Sequence, residues 1–232
     1  MVSRNFIFLL YLLSLVGIAA IGFSFFDQLG CDGQLVNINL QPSSEQEIWG
    51  DRTIGQSFVA PWNGLNRVDI FFQTYDRPNT GEVSLRLLEL LPNGDNPLQG
   101  TEVFSATFQA ATVKDQAWQT FNFPAVLSST GKTYFILLHS PTSKPGNAIT
   151  VGGFDKDVYP SGSAFLGTDP IPADITFRAC FQMSLAEKLH LLAEQVTRHR
   201  PAVWGSIIFY LMSLGIYGGL MTGFLRKLHQ SL

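Results

Sequence analysis

Apolar and polar positions follow three different patterns along this 232-residue chain. Residues 5–26 (NFIFLLYLLSLVGIAAIGFSFF) contain no charge over 22 positions, and residues 202–225 (AVWGSIIFYLMSLGIYGGLMTGFL) contain none over 24. Roughly 20 apolar residues carry a helix across a bilayer core, so both runs predict transmembrane helices. The middle is different. From 54 to 182 short runs alternate apolar with polar residues, which is the period of a strand with one buried face. In LNRVDIFFQTY, Val68, Ile70 and Phe72 point one way while Asp69 and Gln73 point the other. EVSLRLLELL, TEVFSATFQA, AWQTFNF, KTYFILL, AITVGG, GSAFLG and DITFRACF continue the series, and PWNG, DRPNTG and PNGDNP separate early members with turn residues. Together with QLVNINL at 34–40 they predict about nine or ten strands, as in a closed sandwich.

A third pattern follows the strands. In SLAEKLHLLAEQVTRHRP, Ser184 and Glu187 have capping-box spacing, and Leu185, Leu189, Leu192 and Val196 repeat with helical period. Pro201 ends that helix. The expected organisation is an N-terminal transmembrane helix over 1–26 and a β-sandwich over 27–183. A juxtamembrane amphipathic helix over 184–200 and a C-terminal transmembrane helix with a short tail over 201–232 complete it. The predicted fold class is mainly β: a jelly-roll-type sandwich inserted between two membrane helices. A cleaved signal peptide ending at Ala20-Ile21-Gly22, or acylation of Cys31, is the alternative to an uncleaved N-terminal anchor.

Charge orients this arrangement. Arg4 precedes the first apolar run, and no Lys or Arg follows it until Arg52. Positive residues favour the cytoplasmic side, so both termini are expected there, in a two-pass topology at the cytoplasmic membrane with the sandwich outside. Residues 27–183 carry 16 acidic and 9 basic side chains, a net charge of −7. An acidic domain argues against nucleic acid as a partner. The two cysteines, Cys31 and Cys180, bracket the sandwich and share the polar parity of their runs. An oxidising compartment favours a bond between them, the alternative being two unpaired small residues.

Candidate chemistry is sparse. His139 is the one histidine of the sandwich, and HExxH, CxxC and GxSxG are absent. No catalytic residue, cofactor or resident metal is therefore expected. Asp155 and Asp157 form a weak calcium candidate, since two carboxylates do not fill 6–8 ligand positions, and a solvated acidic loop is the simpler reading. Trp49 and Trp62 fall in loop-like stretches, either as a partner or sugar platform or as plugs of the sandwich ends. Trp118, inside a strand, is expected in the core. Arg198 and Arg200 offer a basic surface to lipid phosphates or to a partner. Gly215, Gly219 and Gly223 recur at four-residue spacing and mark a helix-packing seam, for which Ser14, Gly17 and Ser24 of the first run are the internal counterpart.

The runs GQSFVAPWNGLNRVDIFFQTYDRPNTGEVSLRL, GKTYFILLHSPTSKPGNAITVGG, YPSGSAF and DITFRACF resemble a bacterial extracytoplasmic sandwich family. Its members are similar to carbohydrate-binding jelly rolls and often accompany glycosyltransferase-like membrane proteins. The resemblance covers 54–182 and concerns the scaffold, with no catalytic motif. The expected function is that of a non-catalytic accessory subunit of a larger membrane protein complex. Its helices would pack against integral membrane subunits within the bilayer, and its sandwich would cover the outer face. The alternative is a membrane-tethered carbohydrate-binding module that takes glycan.

Overall fold

The computed structural model describes residues 13, 16–17, 28–33, 47–91, 96–198 and 206–230. The chain divides into two compact units, one of residues Cys31–Gln182 and one of Met1–Gly30 with Met183–Leu232. Thirteen strands form in the first unit among the described residues: β1 (Cys31–Asp32), β2 (Ile54–Val59), β3 (Leu65–Gln73), β4 (Glu82–Glu89), β5 (Thr101–Gln109), β6 (Ala117–Val126), β7 (Thr133–His139), β8 (Thr150–Val151), β9 (Gly153–Phe154), β10 (Ala164–Leu166), β11 (Asp169–Ile171), β12 (Asp174–Ile175) and β13 (Phe177–Phe181). The run QLVNINL lies outside the described residues.

Two antiparallel sheets carry the architecture. One has the order β1-β13-β3-β6, with β8 also paired to β3; the other runs β11-β10-β2-β7-β4-β5. The alternation seen in β3 explains their packing. Val68, Ile70 and Phe72 are fully buried on the inner face, where Ala179, Phe177 and Phe121 from the flanking strands join them. The facing sheet contributes Phe58, Tyr134, Ile136, Leu85 and Leu87. Rings bridge the gap: Phe58 lies 5.6 Å from Phe177, Phe72 lies 5.8 Å from Phe108, and Phe104 stacks at 5.0 Å on Phe123. Such aromatic pairs add about 0.5–1.5 kcal/mol each beyond their buried area.

A smaller apolar cluster lies on the opposite face of the six-stranded sheet. Leu88, Phe135 and Leu137 are buried there, with Leu90 and Phe165 against them. Gly55 makes it fit, because a Cβ at that position would collide with the Phe135 ring.

Cys31 and Cys180 are directly opposite each other in the β1–β13 ladder and form a disulfide, with Cα atoms 4.0 Å apart and a sequence separation of 149. The bond ties the first described strand to the last.

In the second unit, the described residues include the helices α1 (Leu185–Thr197) and α2 (Ile207–Gln230). Ser184 and Glu187 close a reciprocal capping box at the start of α1. The fold-class expectation of two membrane-spanning helices is corrected here. No helix among the described residues is long and apolar enough to cross a membrane. The sequence of α2 closes on the polar residues Arg226, Lys227, His229 and Gln230. Of the first apolar run, only Leu13, Val16 and Gly17 fall among the described residues. The two-pass topology, the cytoplasmic-membrane placement and the juxtamembrane role of α1 fall with it.

Replacing both cysteines with serine should lower the unfolding free energy by about 2–5 kcal/mol, since the bond closes a long loop of the unfolded chain. Urea titrations of the oxidised, reduced and doubly substituted proteins test this. Equal midpoints for all three would refute it.

Candidate functional site

Three polar clusters stand out in the sandwich. The first lies on the outer face of the five-stranded sheet and follows from the register of β3 and β13. Asp69 is the cross-strand partner of Arg178, and Arg67 that of Cys180. Asp69 is 1% exposed, with one carboxylate oxygen 3.0 Å from Arg178 Nη2 and the other 3.4 Å from Arg67 Nε. Two guanidinium groups thus face one buried carboxylate. Arg67 Nη2 also approaches both sulfurs of the disulfide, at 3.4 Å for Cys31 and 3.2 Å for Cys180. The Arg178 guanidinium lies over the Trp118 ring, 4.0 Å from its centroid, and Phe71 meets the same indole edge-on at 5.5 Å. Trp118 is accordingly half-buried on the outer face rather than in the core, which corrects the reading of it as a core residue.

The second cluster sits where β3 leaves the sheet. Asp115 Oδ1 accepts hydrogen bonds from the Thr74 backbone N–H at 2.6 Å, the Thr74 hydroxyl at 3.0 Å and the Tyr75 N–H at 3.0 Å. Burial pulls the Asp115 carboxyl up, but these bonds outweigh it and hold it below the usual carboxylate range. They stabilise a backbone in which Tyr75, Asp76 and Asn79 take positive φ, with Gln116 nearby doing the same. Arg77 lies beneath the Tyr75 ring, donates to the Ala148 carbonyl at 2.8 Å and pairs with Glu47. Burial, offset in part by Arg77, raises the Tyr75 phenol above its ordinary value.

The third cluster is internal. Asp174 is fully buried and accepts from Gln56 Nε2 at 3.0 Å and from the backbone N–H groups of Val158 and Tyr159 at 2.7 and 2.8 Å. Gln56 returns its carbonyl oxygen to the Ile175 N–H. The Tyr159 hydroxyl donates to Asp32 at 2.8 Å, which anchors the same loop to β1. Burial raises the Asp174 carboxyl above its ordinary value of 3.8.

Of the residues singled out from sequence, Cys31, Cys180 and Trp118 join the first cluster and the others lie apart. Trp62 packs edge-on against Phe181 at 5.5 Å, with its carbonyl accepting from Ser129. Trp49 is half-buried in a turn bridged to Arg52. Asp155 and Asp157 are exposed, and among the described residues no three His, Cys, Asp or Glu side chains gather to hold a metal ion. His139 Nε2 lies 3.0 Å from the Gly50 carbonyl, so its ring is engaged by the backbone rather than by a nucleophile. Arg198 caps the end of α1. Gly215, Gly219 and Gly223 lie exposed on α2. Ser14, Ser24 and Arg200 lie outside the described residues, whereas Gly17 is among them. The Asp69 cluster was missed from sequence. Its signal was present in the shared parity of Arg67 with Asp69 and of Arg178 with Cys180, but the register joining them was not.

No protein-family model and no curated protein matches the chain. Solved structures with a local likeness include a clostridial cysteine protease, Cwp84, after propeptide cleavage. It is 10% identical, with a TM-score of 0.40, over 57% of this chain and 36% of that one. Another comprises the cysteine protease and lectin-like domains of Cwp84, a surface layer associated protein of Clostridium difficile. It is 12% identical with a TM-score of 0.36, over 57% and 32% of the respective chains. This chain spans about a third of the length of those proteins. At such identity and TM-score the likeness assigns neither a family nor an activity.

Two expectations follow from the charged clusters. Asp69→Asn leaves Arg67 and Arg178 facing each other without a carboxylate and should cost about 3–5 kcal/mol, as for other broken buried pairs. A urea midpoint within experimental error of wild type would contradict this. For Asp174 the folded pKa lies above the unfolded one, so its protonation favours the folded state. That stabilisation is full below the unfolded value and is lost as pH rises through the folded value. The stability of wild type relative to Asp174→Asn should therefore decline as pH rises from about 4. Denaturation across a pH series reads the difference, and a flat or rising curve would overturn it.

Proposed function

We propose that this chain is a non-catalytic accessory subunit of a larger protein assembly, with α2 as its docking element. One observation carries the reading: the apolar side chains of α2 are exposed around its whole circumference. Ile208, Leu211, Met212, Leu214, Ile216, Tyr217 and Leu220 are each more than 60% exposed. Exposed apolar surface on that scale marks an interaction site in a folded protein. Among the described residues, nothing lies within 4 Å of where a Cβ would stand at Gly215, Gly218, Gly219 or Gly223. A partner helix has room to approach the backbone closely along that stripe.

A binding rather than catalytic role also agrees with the sandwich, where His139 is engaged by a carbonyl and the buried carboxylates are held by guanidinium or amide donors. The glycan-binding alternative has less support. The Trp62 ring packs on Phe181, and one face of Trp118 is covered by Arg178. Neither indole is left as an open stacking platform.

The full-length chain, tagged and purified under native conditions from its own cells, should bring down partner proteins in fixed proportion. Gly219→Leu should release them while the Cys31–Cys180 bond stays formed. Partners retained at wild-type yield by that variant, or a wild-type chain that elutes alone, would remove α2 as the docking element.

A further inference from the structure

Among the described residues, β1, β6, β11 and β5 end the strand paths of the two main sheets, and three of them are blunted. β1 is two residues long and is locked to its neighbour by the disulfide. β6 carries Pro124, and β11 is three residues containing Asp169 and Pro170. Short strands, proline and charge are the usual means of keeping an edge from pairing with another chain. The fourth edge, β5, is nine residues long and pairs only with β4 among the described residues. A bulge at Val103, where Leu87 pairs with Phe104 and Leu88 with Glu102, interrupts one end of it. From Phe104 to Gln109 the edge is regular and contains neither charge nor proline.

Its sequence is also nearly palindromic. Phe104-Ser105-Ala106-Thr107-Phe108 reads aromatic, hydroxyl, small, hydroxyl, aromatic in either direction. Phe104 and Phe108 turn inward, where they meet Phe123 and Phe121 at 5.0 and 5.5 Å, yet both remain half-exposed at the open side of the sandwich. Ser105 and Thr107 are exposed on the outer face.

We propose that this edge is an interface between two copies of the chain, with β5 pairing antiparallel to β5 of the second copy about a two-fold axis at Ala106. That register sets Phe104 opposite the second copy's Phe108 and Ser105 opposite its Thr107. Aromatic pairs and Ser–Thr pairs are both favourable across antiparallel strands. Glu102 falls opposite Ala110 rather than Glu102, so no like charges meet. A second copy is the occupant because the edge complements itself, which an edge reserved for an unrelated strand has no need to do. An isologous contact of this kind closes at two subunits, and the blunted remaining edges leave no site from which a filament would grow. A strand edge alone covers less than a standard-size interface, so the association is reversible and concentration-dependent.

Hydrogen exchange on the full-length protein over a wide dilution series tests the proposal at β5 itself, independently of any association through α2. Amides of residues 104–108 should slow as wild-type concentration rises. Ser105→Lys/Thr107→Lys sets lysine against lysine across the axis, and Ser105→Glu/Thr107→Glu sets glutamate against glutamate. Each should lose that slowing by at least about tenfold in concentration, with the β7 amides and the disulfide unchanged. An equimolar mixture of the two should recover it, because opposite charges then face each other. If the glutamate pair misfolds beside Glu102, Thr107→Glu alone serves as the acidic member of the mixture. Concentration-independent exchange in wild type, slowing that persists in the lysine variant, or a mixture of folded variants that fails to recover would each overturn the proposal.

Discussion

The register of β13 against β3 is the constraint on which the sandwich depends. Pairing Phe177 with Ile70 and Ala179 with Val68 turns the inner face of the last strand onto the core, where Phe177 meets Phe58 of the other sheet. The same register works on the outer face. It places Arg178 beside Asp69 and Cys180 beside Arg67, and it holds Cys180 where Cys31 of β1 reaches it. A slip of one residue would exchange the two faces, burying Arg178 in the core and expelling Phe177. The core, the charged cluster and the disulfide are thus three results of one strand pairing between segments more than a hundred residues apart.

Burial gives each charged cluster a structural task. Asp69 sits between two arginines at almost no exposure, which is tolerable because both guanidinium groups face it, Arg178 being held in turn over the Trp118 ring. Asp174 is held by three N–H donors, which fixes the loop around Tyr159 against Gln56. Asp115 does the same for the positive-φ segment at Tyr75. Asp115 and Asp174 thus organise backbone, whereas Asp69 joins two arginine side chains. The two contacts we propose lie elsewhere, on the exposed apolar side chains of α2 and on the edge of β5. The first belongs to a helix with wide apolar exposure, the second to a strand whose free backbone groups face outward.

Much of the sandwich was legible from local pattern. Alternation in LNRVDIF and EVSLRL marks strands because each residue's face is decided by its own chain direction, and the continuous apolar run in TYFILLH fits a strand buried on both faces. The Ser184–Glu187 box predicted the start of α1 for the same local reason. Hydropathy along 202–225 was less safe as a guide. It reports the composition of a window, whereas a span needs one continuous helix, and none among the described residues is long and apolar enough to cross a membrane.

What the sequence determined by itself was therefore the position of the longer strands, the face each residue takes within them, and the cap of the first helix. All three depend on bonds and sterics within a few residues. Only the tertiary structure decided which strands are neighbours and in what register. That choice made Asp69 a shared partner of Arg67 and Arg178, moved Trp118 from core to outer face, and left β5 as the open edge. Such outcomes depend on contacts between segments distant in sequence, where a residue's own neighbours carry no information about its partner.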